Sequence, residues 1–147
     1  VTRLELLTFI QSQILAVEAS VAEDGAPQAA VVGIVVSDQF DVFFDTRRGS
    51  RKAANLREQP RCALVVGWDL TTGCTVQLEG MADEPEGAEL ARLKALYFAR
   101  FPDGKERETW PDITYFRVRP LWLRYSDFRD GKARIEEYTA EALAALK

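Results

Sequence analysis

Six basic residues, Arg47, Arg48, Arg51, Lys52, Arg57 and Arg61, fall between positions 47 and 61 and face one acidic residue there, Glu58. Ahead of residue 46 the only basic residue is Arg3, while Glu5, Glu18, Glu23, Asp24, Asp38, Asp41 and Asp45 are acidic. Within the basic segment Ser50 reads as a helix N-cap, which puts Arg51 and Lys52 in the first turn of a short helix closed by Pro60. That end of a helix carries partial positive charge, so cations there are locally unfavourable. An anion docked on the helix N-terminus reverses the conflict. Gly49 can take a positive φ, which would let successive amides point inward as an anion nest. Ser50 adds a hydroxyl, Arg51 a forked donor and Lys52 a point charge, a set suited to a terminal phosphate. A nucleotide, a flavin, a sugar phosphate or an inorganic anion all suit it. The competing reading is a solvated basic turn.

The chain contains no histidine and two cysteines, Cys62 and Cys74. A Ser-His-Asp or Cys-His device is therefore impossible, as is a zinc site built on histidine or on a thiolate cage. Redox or transfer chemistry would have to be carried by a bound cofactor. Both cysteines fall in expected strands, where buried inert thiols are the simpler reading. The acidic run Asp83-Glu84-Pro85-Glu86 reads as the N-terminal bias of a helix. Asp127, Asp130, Glu136 and Glu137 read as a solvated hairpin. Tyr97, Phe98 and Phe101 recur at helical spacing and read as core; Trp68 and Trp110 read as packing a loop onto the sheet.

The elements that must position the basic turn follow from periodicity and turn residues. Helices are expected over 2–13, 51–58, 86–101 and 140–146. Strands are expected over 14–22, 28–36, 41–45, 61–67, 74–82, 113–118, 121–125 and 133–138, with a polar loop over 102–111. Strand 28–36 is nearly continuous in apolar residues, which suggests burial on both faces or a face toward a ligand or partner subunit. Many strands at hairpin spacing imply an antiparallel sheet closing toward a barrel. The 147 residues suit a single domain spanning 1–147, and the net charge of −4 disfavours nucleic-acid binding driven by bulk charge. No apolar run approaches the ~20 residues of a membrane span. The opening VTRLELLTFIQSQ contains acidic Glu5 and lacks the basic start of a signal peptide. A cytoplasmic protein is expected, with an initiator residue missing ahead of Val1.

The segment Asp41–Trp68 resembles the pyridoxamine 5′-phosphate oxidase-like family of flavin-binding split barrels. The resemblance rests on a strand ending in aromatic residues, Thr46, the run Gly49-Ser50-Arg51-Lys52-Ala53, Pro60 and the apolar strand ending at Trp68. Leu78-Glu79-Gly80 and the hairpin Gly25-Ala26-Pro27-Gln28 extend it to about residues 14–128. It implies a mainly β fold with flanking helices, a six-stranded antiparallel split β-barrel that forms a homodimer and binds flavin mononucleotide (FMN) at the dimer interface. Arg51 and Lys52 would hold the phosphate and Ser50 would support it. Asp45 and Thr46 would line the cofactor, as would Thr75, or Cys74 if the loop shifts by one, where the family often has a glutamine, and Ala30–Val35 would pass beside the flavin ring.

The family's substrate residues are largely absent. Ala30 and Val35 stand where the oxidase has arginine and lysine, Ser126 where it has tryptophan, and Arg134-Ile135-Glu136-Glu137-Tyr138 replaces its substrate segment. Arg100 is out of step with the family arginine that follows Tyr97. The resemblance, with these departures, therefore implies an FMN-dependent oxidoreductase acting on an unassigned small molecule, distinct from the oxidase itself. A non-catalytic flavin carrier or sensor and a deazaflavin-binding reductase are the alternatives. Haem is disfavoured by the lack of an axial histidine.

Overall fold

The computed structural model describes residues 1–147. The chain runs α1 (Arg3–Ser12), β1 (Leu15–Val21), β2 (Pro27–Gly33), β3 (Val35–Val36), β4 (Val42–Arg47), α2 (Arg51–Glu58), β5 (Arg61–Val66) and β6 (Cys74–Asp83). It continues through α3 (Gly87–Arg100), α4 (Pro102–Arg107), β7 (Ile113–Asp127), β8 (Arg134–Thr139) and α5 (Ala140–Ala145). All strand pairs are antiparallel, in the order β2-β1-β5-β6-β7-β4-β3, with β8 added to β7.

The two ends of that order, β2 and β3, are separated in sequence only by Ile34. The expected strand 28–36 is thus one segment that bends at Gly33-Ile34 and passes from one sheet edge to the other. Counting β2 and β3 as one, the barrel has six strands, with β8 as an appendage. A side chain at Gly33 would begin 3.1 Å from the Phe101 ring, so the bend passes close under the end of α3.

The expected strands 113–118 and 121–125 are one strand, β7. It pairs with β6 over 117–127, with β4 over 113–118 and with β8 over 122–127. Pro120 lies in the gap between β4 and β8, where a missing N–H is tolerated. Glu79 pairs with Trp122 but Gly80 with Pro120, so Leu121 is an extra residue bulged from the ladder. The bulge reverses which parity points inward: Phe116 and Val118 enter the core before it, Leu123 and Tyr125 after it.

Inward residues of the six strands form the main core, closed at one end by Leu6, Leu7 and Ile10 of α1 and joined by Leu143 of α5. Thr2 and Glu5 form a capping box that starts α1. A second core lies outside the barrel, where α3 packs Leu93 and Tyr97 on Phe43, Ile113 and Tyr115. The expected loop 102–111 contains α4, started by Pro102 at its first position with Asp103 beside it. No helix is long and apolar enough to cross a membrane.

Candidate functional site

The basic turn lies between β4 and α2, against the β1–β2 hairpin. Ser50 caps α2, its Oγ accepting from the Ala53 amide at 3.1 Å and lying 3.1 Å from Thr46 Oγ1. The Arg51 and Lys52 amides have no backbone acceptor and are free to receive a ligand. Gly49 makes no nest, because its φ is not in the left-handed region. The turn is closed instead by the Ser50 amide donating to the Arg47 carbonyl at 3.0 Å. The space beside Gly49 is open, so a ligand can approach the backbone there.

Four of the six basic residues are occupied by neighbours. Arg47 pairs with Asp112 at 3.1 Å, Arg57 with Glu84 at 2.7 Å and Arg61 with Glu79 at 3.7 Å, while Arg48 Nε donates to the Ile113 carbonyl. Arg51 instead donates to the neutral amide oxygen of Gln28 at 3.0 Å. Lys52 has no ion pair. The same Gln28 oxygen accepts from Asn55 Nδ2 at 2.9 Å, and Asn55 also donates to Ser20 Oγ at 3.1 Å. These bonds dock α2 onto the hairpin and hold Arg51 and Lys52 over a cavity of about 250 Å³ lined by Glu18, Ser20, Gln28, Ala29, Ala30 and the 50–52 turn.

Glu18 is the residue that sequence reasoning missed. It is 1% exposed and points inward from β1 between Ala30 and Leu64. Its Oε1 has no hydrogen-bond partner. Burial pushes its carboxyl up to about 7, against the charge of Lys52 and the Ser20 hydroxyl, which pull it down.

The other candidates lie elsewhere. Asp45 turns its carboxylate toward the helices, accepting from Tyr97 Oη at 2.9 Å and Arg107 Nε at 2.8 Å. Burial, followed by the Asp45 charge, holds the Tyr97 phenol well above its ordinary range. Tyr97 is therefore core, as its spacing implies, but with an anchored hydroxyl. Thr75 donates to the Val66 carbonyl at 3.0 Å and lines a separate depression with Trp68 and Phe128. That depression shares no residue with the cavity under Arg51, so one chain does not bring Thr75 to the basic turn. Asp83 and Glu84 precede α3 instead of starting it: Asp83 binds Arg117 and Arg119, and Glu84 binds Arg57 and Thr114. Trp110 stacks under Arg47, and Trp68 is half exposed.

A six-stranded antiparallel sheet closed through the β2–β3 bend, with the short helix α2 packed into its core through Ala53 and Leu56, defines a split barrel. The family described as pyridoxamine 5′-phosphate oxidase matches residues 3–127, and the chain belongs to that family. It is 32% identical over 115 residues to a pyridoxine/pyridoxamine 5′-phosphate oxidase of Cupriavidus metallidurans, covering 76% of this chain and 52% of that protein. The chain spans about half the length of the curated relatives it matches. Among solved structures, a heme binding protein from Mycobacterium smegmatis superimposes with a TM-score of 0.84 at 23% identity, over 97% of this chain and 60% of that one. A putative pyridoxamine 5′-phosphate oxidase from Listeria innocua gives 0.71 at 16% identity, over 84% and 96%. At these identities the structural likeness establishes the fold.

Proposed function

We propose that this chain binds FMN and acts, as a homodimer, as a flavin-dependent oxidoreductase on a small-molecule substrate. One observation carries the reading: with Arg47, Arg57 and Arg61 paired to carboxylates and Arg48 tied to the Ile113 carbonyl, Arg51 and Lys52 remain beside two unpartnered amides and an open cavity. That donor set suits a phosphate monoester. Bound flavin would supply hydride acceptance and donation, which the chain's own side chains cannot. Ser50, Arg51 and Lys52 would hold the phosphate, and Gln28 would keep the Arg51 guanidinium aimed.

The dimer is supported by two features. The cavity of about 250 Å³ is below the ~300–1,000 Å³ usual for small-molecule sites, so one chain offers a partial site. Beside it, the outward face of β2-β1-β5 bears Val31, Val17 and Val65 in one cross-strand row, and Val31 is 60% exposed. A bare apolar row on a sheet face favours a second protein surface. A partner's Thr75 could then reach the flavin that its own chain's Thr75 does not approach.

An absorption spectrum and an FMN titration test the reading. Flavin bands and saturable binding are expected; a colourless protein that ignores FMN refutes it. Reduction of bound flavin by a nicotinamide cofactor separates an enzyme from a carrier or sensor, and titration with a deazaflavin tests that alternative. The same spectrum reports haem, which the M. smegmatis protein is described as binding. Haem would have to bind here without a histidine ligand.

A further inference from the structure

We propose that Glu18 is a charge gate for the cavity beneath Arg51 and Lys52: in its neutral form it admits an anion, and in its ionised form it turns the anion away. The inference rests on reading that cavity as an anion site, and adds that where Glu18 is ionised beforehand, binding an anion there takes up a proton.

A carboxyl that is 1% exposed with an orphaned oxygen is costly to a fold. Nothing in the packing of β1 requires one, since its partners at this level are Ala30 and Leu64. The carboxyl instead lines the cavity together with Ser50, Arg51 and Lys52. The groups around it are few. From α2 come Lys52 and Arg51; from β2, Gln28, Ala29 and Ala30, none of them ionisable; from β1 itself, Ser20. From β5 comes Cys62, whose thiol is pushed up to about 12 by burial and by Glu18, so it stays neutral. Lys52 is thus the group that favours an ionised Glu18.

An incoming phosphate or sulfate claims the charge of Lys52. Glu18 then loses its compensating cation and gains an anionic neighbour, and both changes favour the protonated form. The proton comes from solvent, and the neutral carboxyl gains an acceptor for its own hydrogen. Linkage makes the anion's affinity fall as pH rises through the titration of Glu18.

Inorganic sulfate is the probe, because its charge is constant across this range. A sulfate titration of the wild-type protein is followed through the Arg51 and Lys52 amide resonances at about pH 6 and about pH 8.5. The expected loss of affinity at the higher pH is about tenfold or more, approaching tenfold per pH unit at the limit. Glu18→Gln should bind equally at both pH values. Equal wild-type affinities, the same fall in Glu18→Gln, or no response of either amide at any pH would each overturn the proposal. Should the variant fail to fold, calorimetry of the wild type in two buffers of different ionisation enthalpy decides the matter. Uptake of a substantial fraction of one proton per sulfate at about pH 8 supports the gate, and no uptake refutes it. A separate FMN titration keeps the two readings apart: FMN failing while sulfate binds with proton uptake removes the flavin and leaves the gate.

Discussion

Without any ligand, Glu18→Gln should stabilise the protein above neutral pH relative to its effect in acid. In the folded state the carboxyl titrates near 7 against an ordinary value of 4.5. Between those values the folded chain holds a proton that the unfolded chain releases, so raising the pH favours unfolding across that window. The wild type therefore has this contribution in full below about pH 4.5, loses it as pH approaches 7, and shows no further change from this group beyond. The rise from 4.5 to about 7, at 1.36 kcal/mol per pH unit, amounts to about 3 kcal/mol. Glutamine is nearly isosteric and does not ionise, so the variant avoids the loss. Its amide brings its own desolvation cost, but that cost is the same at every pH, so the readout is the difference between two pH values. Urea unfolding at about pH 5 and about pH 8 measures it. With an m-value of about 1–3 kcal/mol/M, the variant's midpoint should gain on the wild type by roughly 1 M or more between the two. Equal displacement at both pH values would show that Glu18 is ionised in the folded chain near its ordinary pH, and that its orphaned oxygen is in fact satisfied.

Arg51→Ala combined with Lys52→Ala should weaken FMN binding by about 1.5–3 kcal/mol per charged hydrogen bond lost, with an unchanged circular dichroism spectrum. Unchanged affinity in a flavin titration would make the turn mere surface. Asp45→Ala removes the acceptor of both Tyr97 and Arg107, and should cost roughly 1–3 kcal/mol in urea unfolding. Gly80→Ala would set a methyl group 2.5 Å from the Arg119 carbonyl oxygen at the bulge. It should cost about 1–3 kcal/mol, read as a lowered melting temperature.

The fold was legible wherever alternation and turn residues agreed, and lost where one local feature masked them. Pro120 and the bulged Leu121 made β7 read as two strands, because the extra residue swaps the inward parity from Phe116 and Val118 to Leu123 and Tyr125. Strand 28–36 looked continuous because the bend at Gly33-Ile34 leaves no polar mark. Helix α4 hid among charged residues, although Pro102 and Asp103 form a recognisable start. At the site, Ser50, Arg51 and Lys52 announced themselves by breaking a charge rule. Glu18 did not: in LAVEASV both faces of the strand are small or apolar, so nothing marks the glutamate's side as the inward one. An acid in step with Ala16 and Ser20 was the available signal. Asp45 shows the opposite failure. It stands next to the family motif, yet its carboxylate is held by Tyr97 and Arg107, residues too distant in sequence for any local pattern to reveal.

Strand β7 also sets the order in which the molecule can assemble. Phe44 pairs with Phe116 and Thr46 with Thr114, so β4 has its long-range partner only after the chain has passed residue 113. During synthesis at ~5–20 residues per second, the strand that leads into the basic turn waits as an open edge for several seconds. The hairpin β1–β2 and the neighbouring β5 and β6 can pair before then, because their partners precede β7. A chain halted before residue 113 would carry Arg51 and Lys52 on a turn with only one flank anchored. The basic turn is thus among the last parts of the protein to acquire its shape, only after most of the barrel already exists.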